Sequence, residues 1–478
     1  LFRSGSAGGL HEFNLLGDLT NNGGTLALTN YTSANYTTAT PTNGAVNANF
    51  ISGLENQELI CNGFSKFWRI KIDKDSDDTY KLRITANSVA NFNLWGYANE
   101  GHGSVAQLTN NLNALGLVRG TVEIGTNVEV NQLGTSNYNI SEGATLWVNG
   151  GFVLMPTGGN AVVVYGKAKV TTGTFNSLVS SGFTLRVNGT LEVEGGSVTT
   201  NQIRTSVLGT SNIGGYIQTG GTVVVNGTAG INGNYYTFSM TYGGNVFRMS
   251  GGTLTVRRAS STTDRGILFI NSDPQNISVT GGTVTLEMDN TSNNYIITSK
   301  APLWNLILRK TVNVASTFKL AGGASGDLGP PDTRAIIGAQ PLVVLNSLTL
   351  DNAPFATTLD AQGVDVELGK DFFINTGATY TTGSNTTKFT GTANGILNLG
   401  GSARTFNNLY FEKTTAAASL DVQNGVAAPA ASVVINGTFS AIRGTLSYGA
   451  FVLNAKGNIV NNSTVGVTAN TGKVVVNG

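Results

Sequence analysis

Four carboxylates crowd into the six residues Asp73-Lys-Asp75-Ser-Asp77-Asp78. Alternate acidic residues in a loop can turn their oxygens onto one hard cation, and Ca²⁺ is the ion such a set suits. The run departs from an EF-hand loop, with Asp78 where the turn glycine belongs and Ile84 where the bidentate glutamate belongs. The expectation is therefore a solvated strand-to-strand loop. A structural calcium held by Asp73, Asp75, Asp77 and Asp78 is the sharper alternative, and no other cofactor is expected. His11 and His102 are the only histidines and Cys61 the only cysteine, so the sequence offers no Ser-His-Asp or Cys-His arrangement and no His/Cys metal cage. A glycosidase needs two carboxylates several ångströms apart, and a lyase an acidic or calcium site beside a base. Only scattered candidates exist: Asp264-Arg265, Asp327, Asp332, Arg334 and Asp371. No catalytic residue is expected. Among the rings, Tyr31, Tyr36, Trp95, Tyr235 and Tyr236 stand in polar or Gly/Thr-rich context where they could stack on sugars. Trp68, Trp147 and Trp304 lie inside strand-like patterns and read as packing.

The elements that would position these residues are short and apolar. Lys+Arg number 28 and Asp+Glu 27, a net charge of +1, so no long-range field steers the chain to nucleic acid. Charged residues make up 12% of the 478, while Gly 63, Thr 61 and Asn 54 together make 37%. With 40% hydrophobic residues and almost no net charge, the composition is that of a folding chain with an uncharged polar surface. A lone cysteine allows no internal disulfide. No apolar run approaches the roughly 18 residues of a membrane-spanning helix. The chain opens on Leu1-Phe2-Arg3 and stops within the strand-like Lys473-Val-Val-Val-Asn-Gly478, which reads as a piece of something longer.

Two repeats organise the sequence. The first is an apolar triplet, a Gly-Gly pair, then Thr or Ser and a second apolar alternation, as in Phe247-Arg-Met249-Ser-Gly251-Gly252-Thr253-Leu254 and Ile277-Ser-Val279-Thr-Gly281-Gly282-Thr283-Val284. Such pairs start at Gly195, Gly220, Gly251 and Gly281, a period that belongs to one repeat unit and not to a whole domain. The second repeat places apolar residues at offsets 0, 3 and 5 and lysine at offset 7: Phe67 to Lys74, Leu303 to Lys310 and Phe406 to Lys413. Asn-Gly-Thr after an apolar run recurs at Asn188, Asn226 and Asn436. Strands of three to five residues bury one face each and must stack; Gly and Asn suit the sharp corners between them. A hairpin array would repeat at a much shorter interval, with paired strands either side of each turn. The longer period fits an all-β, right-handed parallel β-helix, a β-solenoid with roughly 25–30 residues per coil. Residues 1–130 read as N-terminal coils or a β-rich cap, and 131–478 as the repeat region, with a loop insertion at 321–334.

Units such as Thr280-Gly-Gly-Thr-Val-Thr-Leu286, Thr405-Phe-Asn-Asn-Leu-Tyr-Phe411 and Phe451-Val-Leu-Asn-Ala-Lys-Gly-Asn-Ile-Val460 resemble the repeat regions of large secreted surface adhesins of Bacteroidetes, including gliding-motility adhesins exported by type IX secretion. The resemblance implies a right-handed parallel β-helix at the bacterial cell surface. It carries over no catalytic residue. The expected function is a structural or adhesive segment presenting an elongated polar face to surface glycans or substratum. A carbohydrate-active enzyme (a polysaccharide lyase or glycosidase) and a passive fibre of the secretion or motility machinery are the alternatives. The open ends of such a helix are expected to continue into further chain or a partner.

Overall fold

The structure is a computed structural model, and it describes residues 9–74, 78–98, 113–131, 137–155, 161–178, 182–185, 188–205, 213–227, 236–257, 265–289, 294–321, 338–423, 432–447, 449, 451–461, 467–468 and 473–476. Among these residues the chain is all-β: its only helical segments are the single 3₁₀ turns Val89–Asn91 and Pro274–Asn276. Among the described residues every named strand pair is parallel, and antiparallel contact is confined to two isolated bridges. Two compact units result, Leu1–Gly230 with Gly244–Gly252, and Ile231–Gly243 with Thr253–Gly478. The boundary expected near residue 130 falls inside the first unit. Of the loop expected at 321–334, all but Ala321 lies outside the described residues.

In the first unit one column of inward residues runs Leu146, Ala168, Leu191, Tyr216, Phe247, each the register partner of the next. All five are fully buried. Tyr216 and Phe247 consequently stack, with ring centroids 5.9 Å apart and planes 15° from parallel. A second column, Phe175, Val198 and Val223, lines another face, and the strands Tyr138–Ile140, Val162–Val164, Phe183–Leu185 and Ile203–Thr205 form a third. Long strands turn the corner between faces. Lys167–Ser177 pairs through its first half with Thr190–Val193 and through its second with Ser197–Thr200, bending at Gly173, whose φ is +86°. Such double pairing lets parallel pairings close on themselves, as in a six-stranded parallel barrel. The second unit repeats the logic with the buried columns Leu306, Leu348, Phe372, Leu397, Val422 and Val366, Thr387, Leu409, Phe439. Each fully buried Leu or Phe in these columns contributes about 2–3 kcal/mol.

The Gly-Gly pairs serve two separate needs. A Cβ on the first glycine would lie 2.3 Å from Thr171 O at Gly195, 2.2 Å from Glu194 O at Gly220 and 2.4 Å from Thr219 O at Gly251. The corner therefore sits directly on the backbone of the preceding repeat. The second glycines, Gly196, Gly221, Gly252 and Gly282, adopt φ of +60°, +65°, +73° and +88°, the left-handed region that L side chains resist.

The second repeat has a different core from the one its residue types suggest. Lys74, Lys310 and Lys413 are buried, at 0%, 4% and 1% exposure. Offset 7 has the same parity as the inward residues at offsets 3 and 5, so the strand alternation drives the lysine inside. There each ammonium meets oxygen: Lys74 Nζ donates to Ser52 O (3.1 Å), Glu55 O (3.3 Å) and Gln57 Oε1 (2.6 Å), and Lys310 Nζ to Val314 O (3.1 Å). Lys413 Nζ donates to Gly369 O (3.0 Å) and Thr390 O (2.7 Å), both in earlier repeats. Desolvation pulls the amines of Lys74 and Lys413 down to a pKa of about 8, and Lys310 is lowered for the same reason.

Candidate functional site

Outward residues form columns as regular as the core. Hydroxyls and amides pair along them: Thr174 with Ser197 (3.0 Å), Asn305 with Thr283 (3.2 Å), Asn346 with Asn305 (2.7 Å) and Asn49 with Asn14 (2.8 Å). The chemically richest column belongs to the first unit. Arg83, Glu123, Trp147, Lys169 and Glu192 are successive register partners on five strands, and Lys81, Thr121, Thr145, Lys167 and Thr190 run beside them.

Glu123 anchors this column, because its side chain is only 2% exposed and its carboxylate gathers three donors. Lys81 Nζ lies at 2.7 Å, Arg83 Nε at 3.4 Å and Asn149 Nδ2 at 2.8 Å. The half-buried indole of Trp147 donates its N–H to Thr171 Oγ1. Lys81 Nζ and Lys169 Nζ stand 5.0 and 5.5 Å from its ring centroid, within cation–π range. Lys169 Nζ also reaches Glu194 (2.8 Å) and Glu192 (3.7 Å). Desolvation pulls that ammonium down, but the Glu194 hydrogen bond and the two carboxylate charges outweigh it and leave it above its ordinary value. The Lys169 hydrogen bond in turn holds Glu194 low. Aromatic surface, ammonium donors and carboxylate acceptors are thus fixed side by side and paired with one another.

The acidic run sits at the edge of this column. Asp73 pairs with Arg119 (2.9 Å) and Lys71 (3.7 Å). Asp78 accepts Thr145 Oγ1 (2.9 Å) and faces Lys167 (3.8 Å). The two engage different cations, while Asp75 and Asp77 lie outside the described residues. Among the described residues no group of three or more His, Cys, Asp or Glu is placed to hold a metal ion. His11 is exposed on the strand Leu10–Leu15; His102, Asp264, Asp327, Asp332 and Arg334 lie outside the described residues. Asp371 is buried, accepting Ile396 N (3.0 Å) and pairing with Lys370 (3.1 Å). Trp68 is fully buried and Trp304 half-buried. Two of the rings offered by the sequence for sugar stacking are taken by protein instead: Tyr31 stacks on Trp68, and Tyr236 packs on Phe269 with centroids 4.9 Å apart. Tyr235 lies outside the described residues. Sequence reasoning assigned Trp147 to packing; strand parity held the missed signal, since its neighbours Leu146 and Val148 are the inward pair.

No protein-family model, curated protein or solved structure matches the chain.

Proposed function

We propose that the chain is an extracellular, right-handed parallel β-helix that serves as a structural and adhesive segment of a bacterial surface protein of the gliding-adhesin kind. What supports a stack of parallel coils is that Leu146, Ala168, Leu191, Tyr216 and Phe247 follow one another as partners, one to each successive coil, although the coils differ in length. Parallel crossovers in one sheet are right-handed almost without exception. The observation that carries the adhesive role is the register-locked outward column centred on Trp147, flanked by hydroxyl and amide columns. Many weak sugar contacts on such a face sum by avidity. Hydrogen bonding and stacking dominate that contact, so binding depends little on salt.

The test is a glycan-array and whole-cell binding screen of the purified chain, with and without calcium, followed by mass analysis of the glycans. Saturable binding of intact glycans, weakened by Trp147→Ala, is the expected result. Shortened glycans would replace the adhesive reading with a lyase or hydrolase. Absence of binding to every glycan and cell type would leave a passive fibre. Dependence on calcium would point to the run from Asp73 to Asp78.

A further inference from the structure

A second aromatic centre lies in the first repeats and is closed by the protein itself. Residues 30–43 form a strap, Asn-Tyr-Thr-Ser-Ala-Asn-Tyr-Thr-Thr-Ala-Thr-Pro-Thr-Asn, most of it exposed. The strap lays the ring of Tyr31 on the indole of Trp68, with centroids 4.9 Å apart and planes 20° from parallel. It is tied to the body by Lys66 Nζ to Tyr31 O (2.8 Å), Asn35 N to Trp95 O (2.7 Å) and Ala98 N to Tyr36 O (3.0 Å). Beneath it Trp68 is wholly buried, yet its indole N–H has no hydrogen-bond partner among the described residues. An unsatisfied buried donor is uncommon and calls for an explanation. Beside it stand Trp95, with Lys66 Nζ 5.4 Å from its centroid, and Phe64, edge-on to Trp95 at 6.4 Å. Gly96 has no room for a side chain, since a Cβ there would fall 1.8 Å from Trp68 O.

We infer that Trp68 is the floor of a binding subsite for a pyranose ring of a neutral glycan, and that Tyr31 occupies this floor as a displaceable stand-in. A sugar stacking in place of the phenol ring would cover the same face of the indole, and a hydroxyl reaching past the ring edge into its plane would be the acceptor that the N–H lacks. Lys66, already bonded to the strap's backbone, would offer its ammonium to a second hydroxyl once the strap lifts. This inference rests on the glycan-binding reading but names a different site from Trp147. Because the strap competes with the ligand, binding is weakened by the fraction of time the subsite is closed.

The experiment titrates cellohexaose, chitohexaose and maltohexaose into the wild-type chain, Tyr31→Ala, Trp68→Phe and the double variant. Circular dichroism confirms that each remains folded. Tyr31→Ala removes the half-exposed stand-in together with its hydroxyl's bonds to Thr42 within the strap, and it does not depend on Trp68→Phe folding. Loss of one aromatic pair predicts that Tyr31→Ala binds one of the hexamers about 3- to 10-fold more tightly than wild type, and that Trp68→Phe in the same background erases the gain. Equal or weaker binding by Tyr31→Ala overturns the stand-in. If wild type binds a hexamer and neither substitution changes the affinity, the subsite is overturned while the adhesive reading stands. If no variant binds any hexamer the subsite is also overturned, and the glycan-array and cell screen decides the wider reading separately.

Discussion

Replacing Lys413 with methionine keeps most of the stem's volume and removes the ammonium that ties Gly369 O and Thr390 O together. Desolvation holds the amine at about 8 against its ordinary 10.5, a difference equivalent to about 3 kcal/mol. The sign follows from proton counting. Between these two values the unfolded chain carries a proton that the folded chain lacks, so stability rises with pH at about 1.4 kcal/mol per unit. Lys310 adds to the slope, being lowered for the same reason. Buried tyrosines oppose it at higher pH: desolvation raises Tyr380 to about 12 and lifts Tyr236 as well. Phenols in the unfolded chain ionise first, at their ordinary 10.0, so stability falls above that point. The second unit should therefore gain stability from pH 8 and peak at about pH 9.5–10. Lys413→Met should lose about 2 kcal/mol of the rise between pH 8 and about 9.5. At pH 7 its cost should be smaller, because two unpaired carbonyls at about 1–3 kcal/mol each are set against about 3 kcal/mol of relieved desolvation. Urea unfolding followed by circular dichroism in half-unit steps of pH measures the difference. Parallel profiles for wild type and variant would refute a desolvated ammonium at this position.

Gly220→Ala should cost about 2–3 kcal/mol, since its Cβ would meet Glu194 O at 2.2 Å and overpacking against backbone finds no cheap relief. Gly17→Ala, with nothing within 4 Å, should shift the melting temperature hardly at all; equal effects would sink the close-approach account. Glu123→Gln should destabilise the first unit by about 2–3 kcal/mol by leaving Lys81 and Arg83 without their shared carboxylate. Arg83→Ala, at 46% side-chain exposure, should cost less than about 1 kcal/mol in the same melts. Cys61 is fully buried, and burial pushes its thiol up to about 11. Alkylation at pH 8 should therefore proceed only as fast as the first unit opens, and folded protein reacting as fast as urea-unfolded protein would contradict this.

Strand parity made much of the fold legible. The glycine pairs marked corners, and the alternation at Leu191 and Val193, Leu306 and Leu308, and Leu409 and Phe411 named residues that are all buried. The same parity placed Lys74, Lys310 and Lys413 inside, but a lysine in a strand reads as surface until the carbonyls that satisfy it are seen. For Lys74 and Lys413 those carbonyls belong to other repeats, at distances set by insertions that no local pattern encodes. The outward column was hidden for the same reason. Asp73 meets Arg119, and Asp78 meets Thr145, across separations longer than one repeat, whereas the repeat spacing alone would have paired neither. Tyr31 was visible as an exposed ring with an open face; that its partner would be Trp68 depends on the path of the strap between Thr29 and Ala45, which no periodicity fixes.

Parallel stacking also explains why a surface so poor in charge spends its few charges as it does. Equivalent positions lie directly above one another, about 4.8 Å apart, so a repeated lysine or glutamate would face its own kind in every repeat. The structure alternates sign instead. In the second unit Arg257 meets Glu287 at 2.7 Å, Glu287 meets Arg309 at 3.5 Å and Arg309 meets Asp351 at 3.0 Å. The first unit does the same with Arg83 and Glu123, then Lys169 and Glu192. A uniform Thr or Asn column tolerates a slip by a whole repeat, because hydroxyls and amides both donate and accept. An alternating ion column does not, since a slip by one repeat sets like charges side by side. Charge on this surface is accordingly a register device, and in the first unit Trp147 interrupts it between Glu123 and Lys169, where its ring meets the ammonium groups of Lys81 and Lys169.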